Sequence, residues 1–294
     1  PESIYEHVYK VEPGTVLRFS KGNFRFWKYW DVKQVYAEAQ RRQIQDYGEA
    51  KEQLKEALKK SVKSRMIADV PLGSFLSGGY DSSLITAIAQ ECADSPVKTF
   101  SIGFHEEKYN EAKYARAVAD HLGTRHTELY IDERDMFDLV ESIPKYYDEP
   151  FADSSEIATM MVSKLAREQV TVALSGDGGD EFFCGYNIYE NVAQAQKLDR
   201  LGGMVYGLCH MPVLKQMHMM EKLPFKVRVI AGNREKESKT QFGAGNYLIR
   251  AKAMVKAGEG VREPLPIHYL TESSYHVNDW QIRRMLLDMD TYLP

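Results

Sequence analysis

The segment Ser77–Ser83, with the sequence Ser-Gly-Gly-Tyr-Asp-Ser-Ser, constrains the fold most, because it separates an apolar run at 70–76 from another at 84–89. The first run is typical of a buried strand and the second of a helix. Two adjacent glycines allow positive φ and a close approach of the backbone to a ligand. N–H groups at a helix N-terminus attract anions, and the serines add hydroxyl donors. The pattern predicts a strand, a tight turn and a helix that together bind phosphate.

This loop is not a Walker A loop, because no Gly-Lys-Ser or Gly-Lys-Thr follows its glycines. The loop has the carboxylate of Asp81 instead of that lysine. A carboxylate beside phosphates is expected where Mg²⁺ lies between them. We therefore expect a pyrophosphate-and-magnesium site, although the residues also allow an ordinary Gly-Gly turn capped by Asp81.

A second glycine-rich loop, Ser175–Glu181, follows the β-branched run 170–174, which we expect to be a buried parallel strand. The loop has three glycines and three carboxylates, which repel one another unless a cation or polar ligand joins them. Ligands of open α/β sheets bind at the carboxyl ends of the strands. Both loops are therefore expected at that edge of one sheet.

Strand and helix patterns alternate from residue 50 to residue 174, which predicts an α/β fold with a doubly wound parallel sheet. Further strands are expected at 97–104 and 127–131, and helices at 50–62, 111–122 and 155–169. We expect Gly123 to end one helix, and Asp132 with Asp135 to cap another. From about residue 190 the chain has no strand alternation and is expected to be helical.

The composition limits the classes of protein and of partner. The 294 residues carry a formal net charge of −4, so a nucleic-acid partner is not expected. Three scattered cysteines do not make a disulfide framework or a zinc site, and a reducing compartment fits them. With no apolar run of membrane-spanning length and no visible signal peptide, we expect a cytoplasmic protein without a membrane partner.

Four motifs in this order carry a resemblance to a known family. Together they resemble the synthetase domain of glutamine-dependent asparagine synthetases of the class B type, in the ATP pyrophosphatase group. The resemblance implies a PP-loop sheet of the adenine-nucleotide alpha hydrolase kind, and it covers nearly the whole chain. The motifs are 77–83, Thr99–Phe104, Asp148–Ser155 and 175–181.

The same resemblance implies a domain arrangement and partners. Residues 1–45 are expected to be the tail of a preceding glutaminase domain, with a β-hairpin followed by a polar linker at 31–46. Residues 46–190 would form the ATP pyrophosphatase domain, and 191–294 a truncated helical part of the synthetase domain. The chain would then be a fragment that lacks glutaminase activity. Its partner would be the glutaminase domain of the same polypeptide, and a homodimer is a further expectation.

The resemblance also implies the site residues, with ATP and Mg²⁺ as the bound groups. Asp81 and Asp180 would bind the metal ion, one from each loop, and Asp177 would be the catalytic carboxylate. Asp177 would take a proton from ammonia or orient the substrate; alternatively, it only satisfies N–H groups of its loop. Leu76 and Ile102 would pack against adenine. The full nucleotide set is Leu76, Ser77, Gly78, Gly79, Asp81, Ser82, Ser83, Ile102, Ser175 and Gly176.

The implied reaction is the ATP-dependent amidation of aspartate. The side-chain carboxylate would attack the α-phosphorus, giving β-aspartyl-AMP and pyrophosphate, and ammonia from glutamine would displace AMP. Two alternatives stay open. One is a related amidotransferase acting on another carboxylate, such as a sugar acid or a peptide. The other is a non-catalytic nucleotide-binding module.

Several features near the motifs are given structural interpretations only. Tyr80 is expected to pack along the helix after its loop, and Cys184 to be a small buried residue. Asp153 and Glu156 have the spacing of a capping box. His210 and His218 have no partner at metal-ligand spacing, so we expect structural roles for both. Core-filling roles are expected for Met204, Met211, Met217, Met219 and Met220.

Overall fold

The structure is a computed structural model, and it describes residues 3, 5–106, 110–149, 155–197, 199–216, 222, 277–291 and 293. The chain divides into two compact units, each built from two stretches of sequence. The first unit contains residues 1–12 and 41–177, and the second contains 13–40 and 178–294. The domain boundaries expected at residues 45 and 190 stay a prediction.

The described residues form short strands and mostly longer helices. The strands are β1 Thr15–Ser20, β2 Asn23–Lys28, β3 Leu72–Phe75, β4 Lys98–Phe104, β5 Arg125–Ile131 and β6 Val172–Leu174. The helices are α1 Val32–Ala39, α2 Tyr47–Arg65, α3 Tyr80–Cys92, α4 Ala112–Leu122, α5 Glu133–Val140, α6 Ile143–Tyr146, α7 Glu156–Arg167, α8 Gly179–Phe183, α9 Asn187–Lys197, α10 Asp199–Cys209, α11 Pro212–Gln216 and α12 Trp280–Thr291. Within this described part, no helix has both the length and the apolar composition needed to span a membrane.

The first unit is built on a four-stranded sheet in the order β5-β4-β3-β6, and every pair in it is parallel. This arrangement confirms the predicted parallel α/β sheet. The strand β6 differs from the expectation of a fully buried strand, because it lies at an edge and pairs only with β3 among the described strands. Its first residue, Val172, is accordingly 40% exposed.

Helices cover both faces of this sheet, as expected for a doubly wound fold. Phe75 of β3 packs on one face in a cluster with Phe100 of β4 and Leu165 of α7. The preceding residue, Ser74, points to the opposite face, since successive side chains of a strand alternate. There its hydroxyl lies 2.9 Å from that of Thr86 in α3. The helices α3 and α7 therefore lie on opposite faces.

A buried polar network joins β4, β5 and α4 on the α3 face. The ring of His126 lies between two hydroxyls, with Thr99 Oγ1 2.9 Å from Nδ1 and Ser101 Oγ 3.2 Å from Nε2. Nε2 is also 3.3 Å from Glu128 Oε1, and Arg116 donates to Glu128 Oε2 at 2.6 Å. Burial lowers the pKa of His126, although Glu128 acts in the opposite direction. The imidazole is therefore neutral at neutral pH.

Two predicted helix boundaries are confirmed. Gly123 ends α4 in the left-handed conformation, with φ of 70°. Asp132 and Asp135 form a capping box at α5, in which Asp132 Oδ1 accepts the Asp135 N–H at 2.9 Å. Asp153, expected to form a capping box with Glu156, lies outside the described residues.

The second unit begins with the predicted hairpin. Strands β1 and β2 are antiparallel, with a register that runs from Thr15–Lys28 to Ser20–Asn23. The turn residues Lys21 and Gly22 both have positive φ, of 50° and 79°, which suits a tight two-residue hairpin turn.

The polar segment 31–46 is not simply the linker that we expected, because its first part is the helix α1. Asp31 caps this helix, accepting the N–H groups of Lys33 at 2.9 Å and Gln34 at 3.1 Å. Val32 is 5% exposed and packs in a cluster with Leu286 and Leu287 of α12. The polar composition of this segment led us to expect a linker, although its first part is a capped helix with a narrow apolar side.

The expected helical structure is present in the described residues after 190, but two of its methionines are not core residues. Met204 is 66% exposed and Met211 is 54% exposed. The ring of His210 stacks on that of Tyr206, with 3.9 Å between centroids. Met217, His218, Met219 and Met220 lie outside the described residues.

Candidate functional site

The first glycine-rich loop lies where the sequence predicted it, between the carboxyl end of β3 and the start of α3. Gly79 is the N-cap of α3 with extended φ, whereas Gly78 has φ of +84°. A Cβ added at Gly78 would lie 2.6 Å from both the N of Ala115 and the Cβ of Tyr114. The close approach of α4 therefore adds a second reason for glycine at this position.

Serine hydroxyls hold the turn of this loop closed. Ser77 Oγ and Ser82 Oγ lie 2.9 Å apart, and Ser82 Oγ accepts the N–H of Ser77 at 3.2 Å. Ser82 Oγ also donates to the carbonyl of Gly79 at 3.3 Å. The third serine hydroxyl, Ser83 Oγ, is buried and has no hydrogen-bond partner among the described residues. A polar ligand at the start of α3 would give this hydroxyl a partner.

The second loop follows β6, the neighbour of β3 in the sheet, and touches the first loop. A Cβ added at Gly176 would lie 2.7 Å from the N of Ser82 and 3.1 Å from the Cβ of Asp81. Contact at this distance leaves no room for a side chain. The predicted meeting of the two loops is therefore present for Ser175–Asp177, the part of the second loop in the first unit.

The predicted catalytic carboxylate, Asp177, is exposed and accepts a hydrogen bond from Ser175 Oγ at 2.8 Å. The structure therefore gives Asp177 a hydroxyl partner, which neither sequence interpretation included. Ser175 is also one of the residues that we expected to contact the nucleotide. The role of each residue stays a prediction.

The two predicted adenine contacts differ in burial and in their place along a strand. The side chain of Leu76 is 1% exposed and packs against Ala115 and Ala119 of α4. Its N–H donates to the carbonyl of Phe100 at 2.9 Å. Ile102 is half-buried within β4, which continues to Phe104. The contact of both residues with adenine stays a prediction.

The second predicted metal ligand, Asp180, belongs to the second unit, in the first turn of α8. Asp180 is half-buried, and the next residue, Glu181, is 2% exposed. Glu181 Oε1 accepts a hydrogen bond from Tyr186 Oη at 3.0 Å. Asp81 belongs to the first unit, so the sharing of one metal ion by Asp81 and Asp180 stays a prediction.

Two residues beside the loops, Tyr80 and Cys184, are less buried than we predicted. Tyr80 is 97% exposed and does not pack along α3, because it lies on the same outer side of the helix as Leu84, which is 48% exposed. Cys184 is half-buried and has φ of +64°, the left-handed conformation that favours glycine. Gln281 Nε2 lies 2.7 Å from its Sγ.

The chemistry of the donor set fits Mg²⁺ rather than a transition metal. Mg²⁺ prefers oxygen ligands and is usually bound by one or two carboxylates together with substrate phosphates. Asp81 and Asp180 supply such carboxylates. Within the described part of the chain, no three His, Cys, Asp or Glu side chains are grouped as a protein-only metal cage. A metal ion bound by either residue would need further oxygen ligands, such as those of phosphates.

The fold and the loops define an α/β protein whose candidate site lies at the carboxyl edge of a parallel sheet. The model of the asparagine synthase family matches residues 53–294, and the chain belongs to this family. Among curated relatives, it is 43% identical over 194 residues to a putative asparagine synthetase [glutamine-hydrolyzing] 2 from Methanocaldococcus jannaschii. It is 34% identical over 226 residues to asparagine synthetase [glutamine-hydrolyzing] 1 from Bacillus subtilis.

The chain spans about a third of the length of these relatives. The matches cover 65% and 76% of this chain but only 36% and 34% of the relatives. Among solved structures, an NH3-dependent NAD synthetase from Campylobacter jejuni is matched over 46% of this chain and 60% of its own. Its TM-score of 0.34 and identity of 12% are too low to carry an argument.

Proposed function

We propose that this chain is the ATP-dependent part of an enzyme that amidates aspartate to asparagine, with glutamine as the nitrogen donor. The observation that carries the proposal is the contact of the two glycine-rich loops, where Gly176 packs against the first turn of α3. This contact brings the predicted phosphate loop to the predicted catalytic loop at one sheet edge. The names of the relatives give asparagine as the product and include glutamine hydrolysis, and both support this proposal.

The first half of the proposed reaction activates the carboxylate. A side-chain oxygen of aspartate attacks the α-phosphorus of ATP and forms β-aspartyl-AMP. The bond between the α-phosphorus and its bridging oxygen breaks, and pyrophosphate leaves with the electron pair. The N-terminus of α3 and the hydroxyls of Ser77, Ser82 and Ser83 would bind the departing phosphates.

Magnesium, held by Asp81 and Asp180, would neutralise the charge that develops on the phosphates. Each carboxylate stands in the first turn of a helix, α3 for Asp81 and α8 for Asp180. These are the helix ends where negative charge is most favourable.

The second half of the proposed reaction forms the amide. Ammonia attacks the acyl carbon of β-aspartyl-AMP, loses a proton, and AMP leaves. Asp177 is the carboxylate available to accept that proton or to orient the substrate, because it is exposed beside the contact of the loops. The hydroxyl of Ser175 holds the Asp177 carboxylate in one direction. Ammonia would come from glutamine hydrolysed elsewhere in the same polypeptide.

A product assay with a panel of carboxylates tests this proposal. The full-length protein is incubated with ATP, Mg²⁺, ammonia and either aspartate, glutamate, a sugar acid or a short acidic peptide. Of the four acids, we expect only aspartate to give AMP and pyrophosphate, together with an equal amount of asparagine. Turnover with another acid only would identify a related amidotransferase, and ATP binding without turnover would identify a nucleotide-binding module.

A further inference from the structure

The chain after α8 folds back over the start of that helix. The residue that reverses its direction is Cys184, whose φ of +64° ends the helix in the left-handed conformation. The next residue, Gly185, donates its N–H to the carbonyl of Asp180 at 2.9 Å. The segment Cys184–Tyr186, which we call the return segment, therefore lies against the first turn of α8.

The return segment leaves no space beside the carboxylate of Asp180. A Cβ added at Gly185 would overlap Oδ1 of Asp180, and it would lie 2.8 Å from Cγ and 3.1 Å from Cα of the same residue. Carbon atoms of real side chains do not approach this closely, so a methyl group at position 185 must move the Asp180 side chain or the backbone. Gly185 does not have a positive φ. Glycine is needed here because of the carboxylate, and not because of the backbone conformation.

The far side of the return segment is fixed to the interior of the second unit. Tyr186 donates its hydroxyl to the buried carboxylate of Glu181, the residue after Asp180. The ring of Tyr186 contacts the ring of Tyr189, with 5.6 Å between centroids, and Tyr189 is 0% exposed. The return segment is anchored on one side, so it cannot move away freely from a larger residue at 185.

We propose that Gly185 is a positioning residue, which holds the Asp180 carboxylate in the direction needed to bind a divalent cation. The inference rests on the proposed function, in which Asp180 is a magnesium ligand. Gly185 itself touches neither the metal ion nor the substrate. Its effect passes through one side chain, so it can be separated from a general effect on folding.

Binding of Mn²⁺ in place of Mg²⁺ tests this role without catalysis. Free Mn²⁺ is measured by electron paramagnetic resonance, with a non-hydrolysable ATP analogue and the full-length protein. We expect Gly185→Ala to weaken Mn²⁺ binding by about 10- to 100-fold, the range for loss of a group that orients a metal ligand. The matched control is Gly207→Ala in α10, where an added Cβ meets nothing within 4 Å. It should leave Mn²⁺ binding unchanged.

A double-mutant cycle with Asp180→Ala separates positioning from damage to the fold. Without the carboxylate, the overlap of the methyl group added by Gly185→Ala with Oδ1 and Cγ is removed, and its remaining close contact is with the Cα of residue 180 at 3.1 Å. We expect this change to lower the melting temperature of the wild-type protein but to have little effect in the Asp180→Ala background. It should also cause no further loss of Mn²⁺ binding in that background. If Gly185→Ala does not fold, the double variant should fold, which keeps the cycle measurable.

The outcomes distinguish this inference from the proposed function. Equal Mn²⁺ binding by the wild type and Gly185→Ala would overturn the positioning role and leave the function intact. Equal destabilisation by Gly185→Ala with and without Asp180 would also overturn it. If the wild type and Asp180→Ala bind Mn²⁺ equally, the magnesium assignment of Asp180 is wrong, and the role of Gly185 falls with it.

Discussion

Each of the two predicted magnesium ligands is packed against a glycine. Asp81 lies against Gly176 and Asp180 against Gly185, and in both places an added Cβ would overlap neighbouring atoms. Neither glycine has a positive φ. Short polar side chains are usually free to choose among rotamers. At Asp180 the contact involves the carboxylate itself and restricts that choice, which suits a residue proposed to present its carboxylate in a fixed direction, whereas Gly176 contacts the backbone and Cβ of Asp81.

Replacing Asp81 by Asn should remove a metal ligand while keeping the shape of the side chain. We expect turnover to fall by about a hundredfold or more, which corresponds to about 3 kcal/mol of transition-state stabilisation. The melting temperature should stay near that of the wild type. Steady-state kinetics of the full-length protein with varied Mg²⁺ would check this, and near-normal turnover would remove Asp81 from the metal site.

Asp177→Asn should separate the two halves of the proposed reaction. An amide cannot accept the ammonia proton, so asparagine formation should fall by about 100-fold or more, within the usual range for general base catalysis. Aspartate-dependent exchange of labelled pyrophosphate into ATP should fall much less. The companion variant Ser175→Ala removes the hydrogen bond but keeps the carboxylate, so it measures how far the orientation of Asp177 matters. An equal loss of both half-reactions by Asp177→Asn, with a lower melting temperature, would indicate a structural role only.

At the scale of elements, the network of β4, β5 and α4 makes stability depend on pH. Burial lowers the pKa of His126 in the folded state, whereas the unfolded chain has the ordinary value of about 6.5. Below that value the unfolded state binds the proton more readily, so the free energy of unfolding should decrease as pH falls through it. Urea titrations from pH 8 to about pH 5 would measure this.

The control for the pH prediction is His126→Gln, which keeps hydrogen-bonding groups near Thr99 and Ser101 but cannot titrate. The free energy of unfolding of this variant should decrease less as pH falls below about 6.5, because position 126 no longer binds a proton. If the wild type and the variant have the same pH profile, His126 does not titrate differently on folding.

The helices α1 and α12 are far apart in sequence but share one apolar cluster in the second unit. Leu287 is 4% exposed in this cluster, so Leu287→Ala should cost about 2–5 kcal/mol through lost burial and a cavity. Amide hydrogen exchange should become faster in both helices. The exposed Leu208→Ala in α10 is the control and should have little effect. Faster exchange in α12 without any change in α1 would contradict the shared cluster.

At the scale of the whole molecule, the sequence predicted the parallel sheet, the hairpin, both loops and most helices. These features depend on local patterns, namely β-branched runs, helical spacing, glycines and capping residues. Gly78 is an example, because its Gly-Gly context predicted the positive φ that the structure shows. The order of the strands is less local, and only the alternation of strands and helices indicated that they would be parallel.

Packing between distant residues could not be predicted from the sequence. The edge position of β6, the exposure of Tyr80 and the burial of Leu76 depend on which elements lie beside them.

Some contacts between residues close in sequence could not be predicted either. No motif or periodicity indicates the hydrogen bond from Ser175 to Asp177 or the contact of Gly185 with Asp180. One feature of the sequence could have predicted the helix α1. Asp31 is a typical N-cap residue, and it precedes Val32 and Tyr36, which are at helical spacing.

The fate of one oxygen atom tests the proposed aspartate activation most directly. The full-length protein is supplied with aspartate carrying ¹⁸O in its side-chain carboxylate, together with ATP, Mg²⁺ and ammonia. If that carboxylate attacks the α-phosphorus, the AMP released on amide formation must carry one oxygen atom from the carboxylate. We therefore expect one ¹⁸O atom in each AMP by mass spectrometry. Asparagine formed with unlabelled AMP, or with ¹⁸O in inorganic phosphate, would contradict the proposed adenylate and the roles given to both loops.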